Sequence, residues 1–96
     1  MIQLPDGTEC HVLHEDRLRL HGGLSLNWQR YHVVVCLPET PPFVLLTDHR
    51  SAVAARSAVS ACSCWQELTI ELEATGIVPA VRKEDGSFVV VRHSPS

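Results

Sequence analysis

The chain has 96 residues, of which 45% are apolar and 20% charged, with eight basic residues against eleven acidic ones for a net charge of −3. That balance is typical of one folded domain and excludes a disordered or low-complexity segment. No apolar run approaches the roughly 18 residues of a membrane span, and the mild acidity argues against a dedicated nucleic-acid binder, which relies on basic excess.

In chain order, Ile2 to Leu4 and Thr8 to His14 flank Pro5-Asp6-Gly7, a tight-turn signal, so the chain is expected to open with a hairpin. The segment Met1-Ile2-Gln3-Leu4-Pro5-Asp6 lacks the basic start and apolar stretch of a secretory leader. The expectation is therefore a cytoplasmic protein beginning at Met1, its four cysteines (Cys10, Cys36, Cys62, Cys64) reduced. Arg17 to Leu20 alternates charged and apolar residues as a half-exposed strand does. Leu18-Arg19-Leu20-His21-Gly22-Gly23 is similar to the diglycine tail of ubiquitin-like proteins, but over six residues only and with 73 residues following. A reversal at Gly22-Gly23, with Leu24, Leu26 and Trp28 on the returning strand, accounts for the glycines.

Tyr31 to Leu37 contains Val33-Val34-Val35, whose β-branching predicts a central strand, and Phe43 to Thr47 follows after Pro38 and Pro41-Pro42. Residues 48–75 carry a helical pattern. On one wheel, Arg56, Ser60, Ser63, Glu67 and Glu71 fall within about 80°, opposite Ala54, Ala58, Ala61, Cys62, Trp65, Leu68 and Leu72. One long amphipathic helix is therefore predicted, capped by Thr47 or Asp48 and stopped near Gly76. Trp65 should be buried at its centre, and Glu67 on its solvated side should be insensitive to truncation. Leu68, Ile70 and Leu72 also alternate as a strand would, so residues 66–73 fit both periods, and Gly76 favours helix. A hairpin of Ile77 to Val81 and Ser87 to Arg92 around Lys83-Glu84-Asp85-Gly86 closes the chain, with Pro79 suited to an edge. The expected architecture is a single α+β domain over residues 1–96: an antiparallel sheet of five to seven short strands with one long helix on one face.

Six histidines and four cysteines invite a test for metal. Cys10 and His14, and His32 and Cys36, are four apart, which on strands leaves members of each pair about 13 Å apart. Cys62 and Cys64 point away from each other on a helix. No metal, cofactor or catalytic set is therefore expected: there is no G-x-S-x-G turn, no H-E-x-x-H helix and no glycine-rich phosphate cradle.

Two surfaces remain. If the strands around Gly22-Gly23 pair as drawn, Arg17, Arg19, Trp28 and Arg30 could form a cationic face with one aromatic platform, suited to a nucleotide or single-stranded nucleic acid. Phe43 to Leu46 and Val89 to Val91 lack internal charge. Taken as open edges, they make Phe43, Val44, Val89, Val90 and Val91 candidate interface residues for strand addition by a second copy or a protein partner. The leading expectation is a small non-enzymatic interaction module such as a regulator, adaptor, antitoxin or phage-type inhibitor. A nucleic-acid or nucleotide binder, and a small Cys/His enzyme or metalloprotein, are the alternatives.

Overall fold

The computed structural model describes residues 1–20 and 30–90. Strands β1 (Ile2–Gln3) and β2 (Glu9–His14) form the opening hairpin, with Gly7 at φ 92° where an L side chain would be strained. The Asp6 carboxylate accepts from the Thr8 amide at 2.9 Å and fixes the turn. A single 3-10 turn, Glu15–Arg17, and a two-residue strand β3 (Arg19–Leu20) replace the longer strand expected at residues 17–20. Then follow β4 (Tyr31–Cys36), β5 (Phe43–Leu46), α1 (Ala52–Ser60), α2 (Trp65–Glu71), β6 (Gly76–Arg82) and β7 (Phe88–Val90).

The sheet order is β1-β2-β4-β5-β6-β7-β3, antiparallel throughout except for β3, which lies parallel to β7. The fold is α+β, as expected. The single long helix is not found: two short helices occupy its span. Ser51 caps α1 through its Oγ, which accepts from the Ala54 amide at 3.3 Å. After Ser60 the chain leaves the helical path, and a second helix start is built from outside it. Asp6, in the first hairpin, accepts from the Trp65 amide at 3.3 Å, and Glu67 reaches back to the Ser63 amide at 2.8 Å. The break shifts the helical phase: α1 buries Ala55 and Val59, leaves Ala54 exposed and sets Ala58 half-buried against the core. Residues 66–71 are helical, and Glu73 at φ 51° ends that helix three residues before Gly76 begins β6.

Both faces of the central strands are covered, and Val33, Val34 and Val35 are all fully buried. On one face Cys10, Val33, Val35 and Leu45 pack against Val59, Cys62, Leu68 and Leu72 from the helices. On the other, Val34 and Val44 pack against Leu18, Ala80, Phe88 and Val90, which come from the sheet's own far end and the turn before β3. The sheet is curled. In a flat sheet β2 and β7 would stand four strand spacings, about 19 Å, apart. Here the His11 and Phe88 rings lie 5.0 Å apart between centroids. β6 makes the curl possible by changing partners along its length, with Gly76–Pro79 pairing with β5 and Ala80–Arg82 with β7. Pro79, which has no amide hydrogen to donate, sits at the changeover.

The topology also corrects the expected edges. Phe43–Leu46 runs between β4 and β6, and Phe88–Val90 between β6 and β3, so the ladder groups of Phe43, Val44, Val89 and Val90 face strands on both sides. The sheet ends instead at the two-residue strands β1 and β3, where little backbone is left to pair. Val91 and the Gly22-Gly23 reversal lie outside the described residues.

Candidate functional site

The polar groups of the concave face gather at the two ends of β4. His32, Val34 and Cys36 point to the same side by alternation, and the β2 register places Cys36 opposite Glu9, Val34 opposite His11 and His32 opposite Leu13. At the Cys36 end, Glu9 and His11 share the face, with Glu9 Oε2 2.5 Å from His11 Nε2. The curl then delivers two more groups. Arg82 Nη2 lies 3.3 Å from the same Glu9 oxygen, and its guanidinium stacks over the Phe88 ring at 5.3 Å. Single donor atoms of Glu9, His11 and Cys36 all lie within 4.8 Å of one another, and all three residues are half-buried. Beside this cluster opens a cleft of about 380 Å³ lined by His11, Leu13, Arg17, Phe88 and the 85–87 turn.

The electrostatics of the cluster define its chemistry. The hydrogen bond from His11 holds the Glu9 carboxyl below the usual carboxylate range, against the opposing effect of partial burial and with help from Arg82. Burial pushes the Cys36 thiol up, and the Glu9 charge pushes it further, with Arg82 pulling the other way. Cysteine, histidine and glutamate together have the composition of a nucleophile–base–orienter set. A catalytic thiol, however, needs its pKa lowered, and here the net direction is opposite. The set is a cluster of three potential metal donors.

At the other end of β4, His32 is buried with Glu15. The Thr47 amide donates to His32 Nδ1 at 3.0 Å, so the ring proton sits on Nε2 and is given to Glu15 Oε1 at 2.7 Å. Glu15 Oε2 is buried and has no hydrogen-bond partner among the described residues. This network ties the 3-10 turn to β4 and β5, and the Thr47 hydroxyl reinforces it by donating to the Tyr31 carbonyl at 2.6 Å.

The residues expected to bind a ligand are only partly brought together. Arg17 is exposed and lines the cleft. Arg30 forms an ion pair with Asp48, and its buried Nε has no hydrogen-bond partner among the described residues. The backbone of Arg19 is in β3, and Trp28 lies outside the described residues. Cys10 faces the helices, where burial pushes its thiol up to about 12. Cys62 is buried with its thiol directed to the Ala58 carbonyl, and Cys64 stands at the start of α2. His32 and Cys36 stand at opposite ends of β4.

The cluster of Glu9, His11, Cys36, Arg82 and Phe88 was not anticipated. Its one local signal is Glu9-x-His11, a spacing that puts both side chains on the same strand face.

A second surface lies on the outside of β6. Ile77 (58% exposed), Pro79 and Val81 (45%) alternate along one side of this strand. They lie on the same sheet face as the helices, yet α1 covers β1, β2 and β4 and leaves this row open. Among the described residues no helix is long and apolar enough to cross a membrane. No protein family, curated protein or solved structure matches this chain.

Proposed function

We propose that the chain is a non-enzymatic interaction module that docks a protein, either a second copy or another chain, on the outer row of β6. The observation carrying this reading is the exposure of Ile77, Pro79 and Val81 on an ordered strand beyond the helical cover. Exposed apolar side chains scattered singly are ordinary, whereas a row on a rigid strand offers a contiguous surface whose burial drives association.

Ile77→Asp combined with Val81→Asp tests the reading, because both side chains point outward and the fold should survive. Sedimentation at micromolar concentration should show a wild-type dimer that the double variant reduces to 10.6 kDa monomers. For a heterologous partner, affinity capture should recover one stoichiometric protein with the wild type and lose it with the variant. An assembly or partner indifferent to both substitutions overturns the proposed surface.

The cleft favours a second reading, the binding of an anionic small molecule such as a nucleotide. Its wall combines the exposed Arg17 with the His11–Phe88 ring pair, a cationic edge beside an aromatic surface. Calorimetric titration with a nucleotide panel checks it, with Arg17→Ala expected to abolish the signal.

A further inference from the structure

We propose that Glu9, His11 and Cys36 form a binding site for a divalent transition-metal cation, zinc foremost. The inference is independent of docking on β6. A carboxylate, an imidazole and a thiol are three of the donor types zinc accepts, and here they converge from two adjacent strands. Tetrahedral zinc, with bonds of about 2.0–2.3 Å, places its donors roughly 3.3–3.8 Å apart. The three donor atoms already lie within 4.8 Å of one another, so side-chain rotation closes the site without moving the strands. The register fixes the geometry: Glu9 and Cys36 are directly opposed, and His11 is two residues from Glu9 on the same face. All three side chains are half-buried, and the Phe88 ring beside His11 limits how far that imidazole can turn away.

Charge balance favours the cation. A thiolate and a carboxylate together neutralise a divalent ion, and the thiol proton is released to solvent as the metal–sulfur bond forms. Three protein donors leave a fourth position for water or an anionic ligand, in a site whose histidine also lines the cleft. Arg82 is the competing cation, since it holds the same Glu9 oxygen. Its removal should therefore strengthen metal binding, a result that a purely structural polar cluster would not give.

The test uses the full chain, reduced, with Co²⁺ as a spectroscopic probe and Zn²⁺ competed against a chromophoric chelator. One Co²⁺ per chain should produce thiolate-to-cobalt charge transfer in the near ultraviolet together with the visible bands of a tetrahedral ion. Cys36→Ser should abolish the charge transfer, and His11→Gln should weaken binding by more than about tenfold. Cys64→Ser, which removes a different partly exposed thiol, should change neither, and Arg82→Ala should tighten Zn²⁺ binding several-fold. Circular dichroism verifies each fold. Should Cys36→Ser unfold, histidine-ring resonances of the wild-type chain decide instead: Zn²⁺ must shift those of His11 and leave those of His32 in place. Absence of a bound ion, or thiolate bands that survive in Cys36→Ser, overturns the site.

Discussion

The two faces of the sheet are closed by different means. On one, a separate layer of helices supplies Val59, Leu68 and Leu72, which pack against Cys10, Val33, Val35 and Leu45. On the other, the sheet folds over itself, and its own far strands supply Phe88 and Val90. A helix can be set down wherever its apolar stripe fits, but a curling sheet can close only as far as its twist and pairing allow. Here the curled face is apolar in the middle, at Val34 and Val44, and polar at both ends, at His32 with Glu15 and at Cys36 with Glu9, His11 and Arg82. The helical layer buries an apolar stripe, whereas the curled layer also gathers polar side chains at the two ends of β4.

If both closures are true cores, truncation on either should cost similar amounts. Phe88→Ala should destabilise the chain by about 3–5 kcal/mol and Leu68→Ala by about 2–5 kcal/mol, because both side chains are almost fully buried. Denaturant melts check the pair, and a cost below about 1 kcal/mol for Phe88 would mean the curl is not a core. The buried pair comes next. His32→Leu strands the Glu15 carboxylate in the interior and should cost roughly 3 kcal/mol, while Glu15→Leu made together with it should recover most of that loss. A double-mutant cycle that shows no coupling would detach the network from the fold.

The same division explains what was legible in the amino-acid sequence. The opening hairpin, the Val33–Val35 strand and the closing hairpin are specified locally, by Pro5-Asp6-Gly7, by β-branching and by the turn whose Gly86 adopts φ 89°. The two helix starts are specified only in part in that way, by Ser51 and by Glu67. The N-terminus that interrupts the expected long helix is capped by Asp6, 59 residues earlier, and no wheel drawn on residues 48–75 contains that information. The rim cluster was hidden for a related reason. Glu9-x-His11 is visible on one strand, but Cys36 joins it through register and Arg82 through curl. Spacing arguments rightly separate His32 from Cys36, yet they cannot say which residues each will meet.

A smaller effect sharpens the account of the helical layer. Trp65 opens α2 instead of occupying the centre of a long helix, and it is half-buried with its ring set edge-on to Phe43 at 5.9 Å. Trp65→Ala should cost about 2 kcal/mol, roughly half the penalty for a fully buried aromatic. Glu67 gains importance in exchange. Because its carboxylate accepts from the Ser63 amide, Glu67→Ala should cost about 0.5–1 kcal/mol, as loss of a helix cap does, and not be silent. Thermal melts of the two variants check the ratio, and a Glu67 change without effect would argue that α2 starts without its aid.

The smallest effect separates the two faces by pH. Two carboxyls are held below their ordinary range: Glu9 on the curled face, chiefly by the His11 hydrogen bond, and the exposed Asp6 beside the start of α2, chiefly by its hydrogen bond with Thr8. A group whose folded pKa is depressed stabilises the fold above its unfolded value, and that contribution is lost as pH falls through the folded one. Both contributions should therefore be complete at neutral pH and fade below roughly pH 4, where free carboxyls titrate. Substitution divides the loss. Glu9→Gln should flatten the acid limb of the stability curve more than Asp6→Asn, because Glu9 is partly shielded between His11 and Arg82 while Asp6 is fully open to solvent. Chemical denaturation from pH 7 down to about 3 measures both slopes. Equal flattening by the two variants would place the acid sensitivity outside the rim, and a steeper acid limb in Glu9→Gln would contradict the depressed carboxyl itself.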